Sequence, residues 1–171
     1  MARWDARVGA GGELVVLAEQ DRGLWDGRVI GSAVSLIERA GAMGRPGPFL
    51  LEAAIAAVHC ESPSWEETDW KQLLALYDML VAIDPPPVVR LNRAVVVSHT
   101  SGPAEALEEV DSLAGELGRY HLFHATRASL LRELGRDAEA AAADSAALEL
   151  TANPSERSLI SARLAASLPA L

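Results

Sequence analysis

Two stretches decide the reading of this chain: Pro87-Val88-Val89-Arg90-Leu91-Asn92-Arg93-Ala94-Val95-Val96-Val97 and His121-Leu122-Phe123-His124-Ala125-Thr126-Arg127-Ala128-Ser129-Leu130-Leu131. Laid over each other with Pro87 on His121, a shift of 34 residues, they stay in register well beyond their ends. Ala94 falls on Ala128, Val97 on Leu131, Ala106 on Ala140 and Leu113 on Ala147. Each of these positions is small or apolar and the set recurs at helical spacing. Each copy therefore reads as two helices that meet one another and the next copy. A glycine-containing turn, Ser101-Gly102 in one copy and Leu134-Gly135 in the other, joins the two helices.

A period of 34 is that of tetratricopeptide repeats. The register extends backwards to a helix near Thr68, with Leu73, Tyr77, Leu80 and Pro85 in place, and Thr68-Asp69 supply good N-cap types. It extends forwards to Asn153-Pro154-Ser155-Glu156, an N-cap, an N1 proline and an N3 glutamate. That signal opens a last helix carrying Leu159, Ile160 and Leu164, the capping element of a stack. Asp144 interrupts the pattern, standing where an aromatic is usual. In the first half only paired helices are legible. One begins near Leu24 with Trp25, Val29, Ala33, Ile37 and Ala40 on one face, and Gly44-Arg45-Pro46-Gly47-Pro48 ends it. The next runs through Phe49, Ala53, Ala57 and Cys60 and stops before Glu61-Ser62-Pro63, while Asp84-Pro85-Pro86-Pro87 closes the third. The expected fold is all-α, an α-solenoid of about eight stacked helices, tetratricopeptide-like in its second half.

Composition agrees. Half of the chain is hydrophobic but only 5% is aromatic, and alanines such as those in the run from Ala138 to Ala147 make up much of the difference. Small residues let helices approach closely. Residues 1–12, with Gly9-Ala10-Gly11-Gly12, read as a linker or a cloning remnant, followed by the β-prone Glu13-Leu14-Val15-Val16-Leu17 and a single helical domain over 13–171. A formal charge of −9 and a pI near 4.9 speak against direct nucleic-acid binding and against an anionic membrane surface. The lone Cys60 forms no intramolecular disulfide. With no signal-peptide pattern and no bilayer-length apolar run, this predicts a cytoplasmic protein.

The sequence offers little for catalysis. His121 and His124 lie near one helical turn apart, but no carboxylate or cysteine stands at ligand spacing, so His124 is expected at a bulky repeat position and His121 in solvent. His59 and Cys60 are neighbours on a helix and point about 100° apart, and Cys60 reads as a small buried hydrophobe. Phosphate-loop, hydrolase and zincin signatures do not occur. No catalytic residue, cofactor or metal is expected. Two clusters invite a binding role instead. In Glu19-Gln20-Asp21-Arg22-Gly23-Leu24-Trp25-Asp26, helix capping accounts for the aspartates and a core position for Trp25, but not for Arg22. In Arg90-Leu91-Asn92-Arg93, the arginines of an acidic chain seek carboxylates, either Asp21 and Asp26 within the fold or those of a ligand.

These stretches together resemble one family. With the two clusters go Gly47-Pro48-Phe49-Leu50-Leu51-Glu52-Ala53-Ala54-Ile55-Ala56-Ala57-Val58-His59, Thr68-Asp69-Trp70 leading to Ala75-Leu76-Tyr77-Asp78, and Tyr120-His121-Leu122-Phe123-His124-Ala125. In order, from about Glu13 to the last helix, they look like the C-terminal extension of extracytoplasmic-function (ECF) sigma factors that carry a tetratricopeptide-like tail. Glu19 stands where that family more usually has aspartate, and Gly23 where a better helix former is expected. The resemblance implies a role in bacterial transcription initiation, with the sigma regions that recruit polymerase and read promoters absent from this sequence. The expected function is that of a regulatory protein-interaction domain. Its partners would be the sigma regions of the parent protein, RNA polymerase, or a regulatory protein or peptide. Asp21, Arg22, Trp25, Asp26, Arg90, Asn92 and Arg93 are the expected partner- or ligand-binding residues, Asn92 because its position in such repeats often lines the concave groove. The alternative is a small-molecule-sensing helical domain that controls the attached sigma factor.

Overall fold

The computed structural model describes residues 2–9, 11–44, 46–83 and 86–166, so Ala10, Arg45, Asp84 and Pro85 of the expected linker and turns lie outside the described residues. The chain divides into two compact units, Met1–Asp84 and Pro85–Leu171, where the sequence suggests one domain from residue 13. The described residues are helical or irregular, with one isolated β-bridge and no strand.

The first unit begins with a folded segment rather than a free linker. Val8 bridges Leu14, the Val15 amide donates to the Arg7 carbonyl at 3.0 Å, and Ala6 is buried. The Asp26 amide donates to the Ala2 carbonyl at 2.8 Å, which ties this segment to the start of the first helix. Two 3-10 turns, Leu17–Glu19 and Arg22–Leu24, lead into α1 (Gly27–Gly41). Helix α2 (Pro48–Glu61) opens with its proline at N1, and α3 (Trp70–Val81) is capped by Asp69, whose Oδ1 accepts from the Gln72 amide at 2.9 Å. Helix α2 packs between α1 and α3. Its buried face is Leu51, Ile55 and Val58. The Phe49 face expected from sequence is displaced by this, and Phe49 is 87% exposed. Helix α1 buries none of its residues fully.

The second unit holds α4 (Pro87–Thr100), α5 (Pro103–Ser112), the single turn α6 (Ala114–Leu117), α7 (His121–Glu133), α8 (Asp137–Leu150) and α9 (Pro154–Ala166). Each long helix packs on the next, and α5 lies against both α4 and α7. The 34-residue register is the core: Ala94, Ala128, Leu131, Ala106, Ala140, Leu113 and Ala147 are completely buried and Val97 nearly so. Alanine at these crossings lets the helix backbones approach where a larger side chain would hold them apart. Gly102 and Gly135 both turn the chain with positive φ, 102° and 70°, a conformation that costs residues with a Cβ. The pair α4–α5, the pair α7–α8 and the terminal α9 thus form a stack of helix pairs, the all-α solenoid-like arrangement.

Candidate functional site

In the first unit the structure gathers the Gln20–Asp26 segment at the end of α2. Asp21 Oδ1 accepts from the Gly23 amide at 2.8 Å, and Asp26 Oδ1 from the Arg28 and Val29 amides at 3.1 Å. Both aspartates are therefore helix caps, which stabilise the positive ends of the turn and of α1. Arg22 reaches to the other pole of the same physics. Its Nη1 donates to the carbonyls of His59 at 2.6 Å and Ser62 at 2.7 Å, where α2 runs out of intrahelical donors. Its guanidinium also lies 4.7 Å from the centre of the Trp25 ring, with the Arg3 guanidinium 5.4 Å from that same ring. Trp25 is buried, as expected, but it stands before α1 and not within it. Burial pulls the Arg22 guanidinium below its ordinary value. The neighbouring Cys60 opposes that shift and Arg3 adds to it.

The expected Cys60 burial is only partial, and His59 turns away from it into an aromatic cluster. The His59 ring stacks on Trp65 at 6.0 Å and meets Trp70 edge-on at 5.9 Å, with Trp65 and Trp70 at 4.7 Å. This cluster joins the α2–α3 connection to both helices. Periodicity alone gives no sign of it, because Trp65 lies outside any helix.

In the second unit Leu91 and Ala94 hold α4 to the core while Asn92 stands exposed beside them. Arg93 Nη1 lies 2.6 Å from Glu109 Oε2 of α5. Arg90 donates to Ser112 Oγ at 3.2 Å and faces Glu116 Oε1 at 3.6 Å. The acids that meet these arginines inside their own unit come from α5 and α6, while Asp21 and Asp26 are occupied as caps. Sequence spacing did not single out Glu109 or Glu116, because the residues that face α4 depend on the inter-helix crossing.

The histidine expectation is corrected. Phe123 fills the buried position of α7, His124 contacts the Gly118 carbonyl at 2.9 Å, and His121 Nε2 sits 3.0 Å from Glu156 Oε2. Among the described residues no group of three His, Cys, Asp or Glu side chains could hold a metal ion. Asn153 caps α9, but the N3 residue Glu156 accepts from Thr151 Oγ1 and faces His121, which joins α9 to α7 instead of closing a capping box. Asp144, the interruption of the repeat pattern, is completely buried. It receives Arg132 Nη2 from α7 at 2.7 Å on Oδ2 and Arg163 Nη2 from α9 at 2.8 Å on Oδ1. No helix among the described residues is long and apolar enough to cross a membrane.

Residues 1–41 match a protein family of unknown function, DUF6596. The chain is also 42% identical over 163 residues to a Rhizobium meliloti (strain 1021) protein described as "Uncharacterized protein R00370", an alignment that covers 95% of this chain and 38% of the relative. The chain thus spans well under half the length of that curated relative. No solved structure matches it significantly.

Proposed function

We propose that this chain is the regulatory interaction domain of an ECF-type, sigma-70-family sigma factor, acting in the cytoplasm on transcription initiation. The observation that supports this best is on α4. Leu91, Ala94 and Val97 anchor the first helix of a repeat, and Asn92 stands exposed next to Arg90 with its amide bonded to no described residue. An amide so placed on a stacked helix pair suits capture of a peptide backbone, and the flanking Arg90 suits an acidic neighbour on that peptide. The partner would be the sigma regions of the parent protein, RNA polymerase, or a regulatory peptide. The chemistry of an acidic repeat stack gives no reason to involve an enzyme or a cofactor.

The test is reporter transcription driven by the parent sigma factor at matched protein levels, in three forms: intact, lacking this domain, and carrying Asn92→Ala with Arg90→Ala. The expected result is that the double substitution reproduces the deletion, whichever direction the deletion takes. Normal output from the double variant together with altered output from the deletion would move the contact surface elsewhere. Normal output from both would overturn the regulatory reading. A small-molecule-sensing role is favoured at a different place, by the two guanidinium groups around Trp25.

A further inference from the structure

We propose that the first unit binds a carboxylate at a recess carrying Arg3 and Arg7, next to the Trp25 ring that Arg3 and Arg22 both cover. The recess opens between Ala2, Arg3, Trp4, Arg7 and Cys60. Its walls are mostly apolar, and Trp4 is 64% exposed at its edge. The chain as a whole carries −9, yet here guanidinium groups collect. Arg3 and Arg22 approach the same tryptophan ring, and Arg3 disfavours the charge on Arg22. Among the described residues no carboxylate lies within ion-pair distance of Arg3, Arg7 or Arg22, whereas Arg93 meets Glu109 and Arg132 and Arg163 meet Asp144. Glu66 acts on Arg22 only from a distance.

Next to the recess, Arg22 Nη2 and Trp25 Nε1 are both buried and have no acceptor among the described residues, while Arg22 Nη1 is held by the His59 and Ser62 carbonyls. Buried donors without acceptors are costly, and donors beside like charges call for an anion that only accepts. The planar fork of a guanidinium fits a carboxylate in two-point contact, and the indole and alanine walls fit a short carbon chain behind it. A carboxylate of this kind can be a free organic acid or the side chain of an acidic peptide. As the identity of the ligand, this inference rests on the regulatory reading for its purpose. As a binding site it needs no sigma factor.

The full chain is titrated with butyrate, with its neutral isostere butyramide, with inorganic phosphate and with a blocked tetraglutamate peptide, at constant ionic strength. Tryptophan fluorescence and melting temperature are followed. Saturable binding of butyrate or of the peptide, absent with butyramide, is expected to raise the melting temperature. Arg7→Gln, an exposed change, should weaken binding by about tenfold with the unligated melting temperature unmoved, and Arg3→Gln should weaken it similarly. Arg119→Gln, an exposed arginine of the second unit, is the control and should bind as the original chain does. Preference for the peptide identifies a protein's acidic segment as the source, and preference for butyrate a free acid. Either supports the site. Equal response to butyramide, saturation by phosphate alone, or undiminished binding in both Arg7→Gln and Arg3→Gln overturns it. Any of these failures leaves the reporter experiment unaffected, so the two readings fall separately.

Discussion

Single residues in this chain carry more specification than their number suggests, and Asp144 shows it best. A repeat position that ordinarily takes a bulky apolar side chain holds a fully buried carboxylate between guanidinium groups of α7 and α9. Such a group is costly to bury and costlier to strand, so the pairings matter as a set. Replacing Asp144 with alanine should cost about 3 kcal/mol in urea unfolding, since it leaves a cavity and removes the acid that Arg132 and Arg163 share. Arg163→Ala should cost less, because Arg132 still neutralises the acid. The double variant should fall well short of the sum of the two, and simple additivity would show that the contacts act independently. The position was legible in the sequence as an exception to the pattern. Its meaning was not, because Arg132 and Arg163 lie 12 and 19 residues away and only the packing of three helices brings them to one point.

At the level of elements the sequence speaks most clearly where backbone geometry repeats. The eight positions superimposed by the 34-residue shift are the buried seams of the second unit, and the caps at Asp69 and Asn153 open helices where the residue types predict. Alanine at a seam is a spacing device, and enlarging it is the direct test. Ala140→Leu should destabilise the chain by about 1–3 kcal/mol by thermal or urea unfolding, because α7 and α8 must move apart or distort. Stability equal to the original would mean that the seam has slack. The first unit was harder to read. Helix α2 is apolar almost all round, so its periodicity does not choose between the Phe49 face and the Leu51, Ile55 and Val58 face, and packing between two helices chooses the latter. The binding candidates divide the same way. Capping by Asp21 and Asp26 follows from residue type. The reach of Arg22 to the end of α2 depends on a 37-residue excursion of the chain that no local rule anticipates.

For the whole molecule the division into two compact units has a cause in what each buries. The second unit is built on seams of alanine and leucine with near-zero exposure, whereas the first is held at α2 and α3, by the aromatic cluster and by the arginine contact at the end of α2. The sequence showed this only as a weakening of the repeat in its first half, because the break at residues 84 and 85 looks locally like any other proline-rich helix end.

Helix α1 has a marked apolar stripe and not one fully buried residue. Amide hydrogen exchange is therefore expected to show α1 opening more readily than the buried helices of the second unit. Its mid-helix amides should exchange at least about a hundredfold faster than those of Ala94, Val97 and Leu131. A segment so easily released can detach and re-form while the seams of the second unit stay closed. An added protein that slows α1 exchange selectively would therefore register its own arrival there before any change in the rest of the fold.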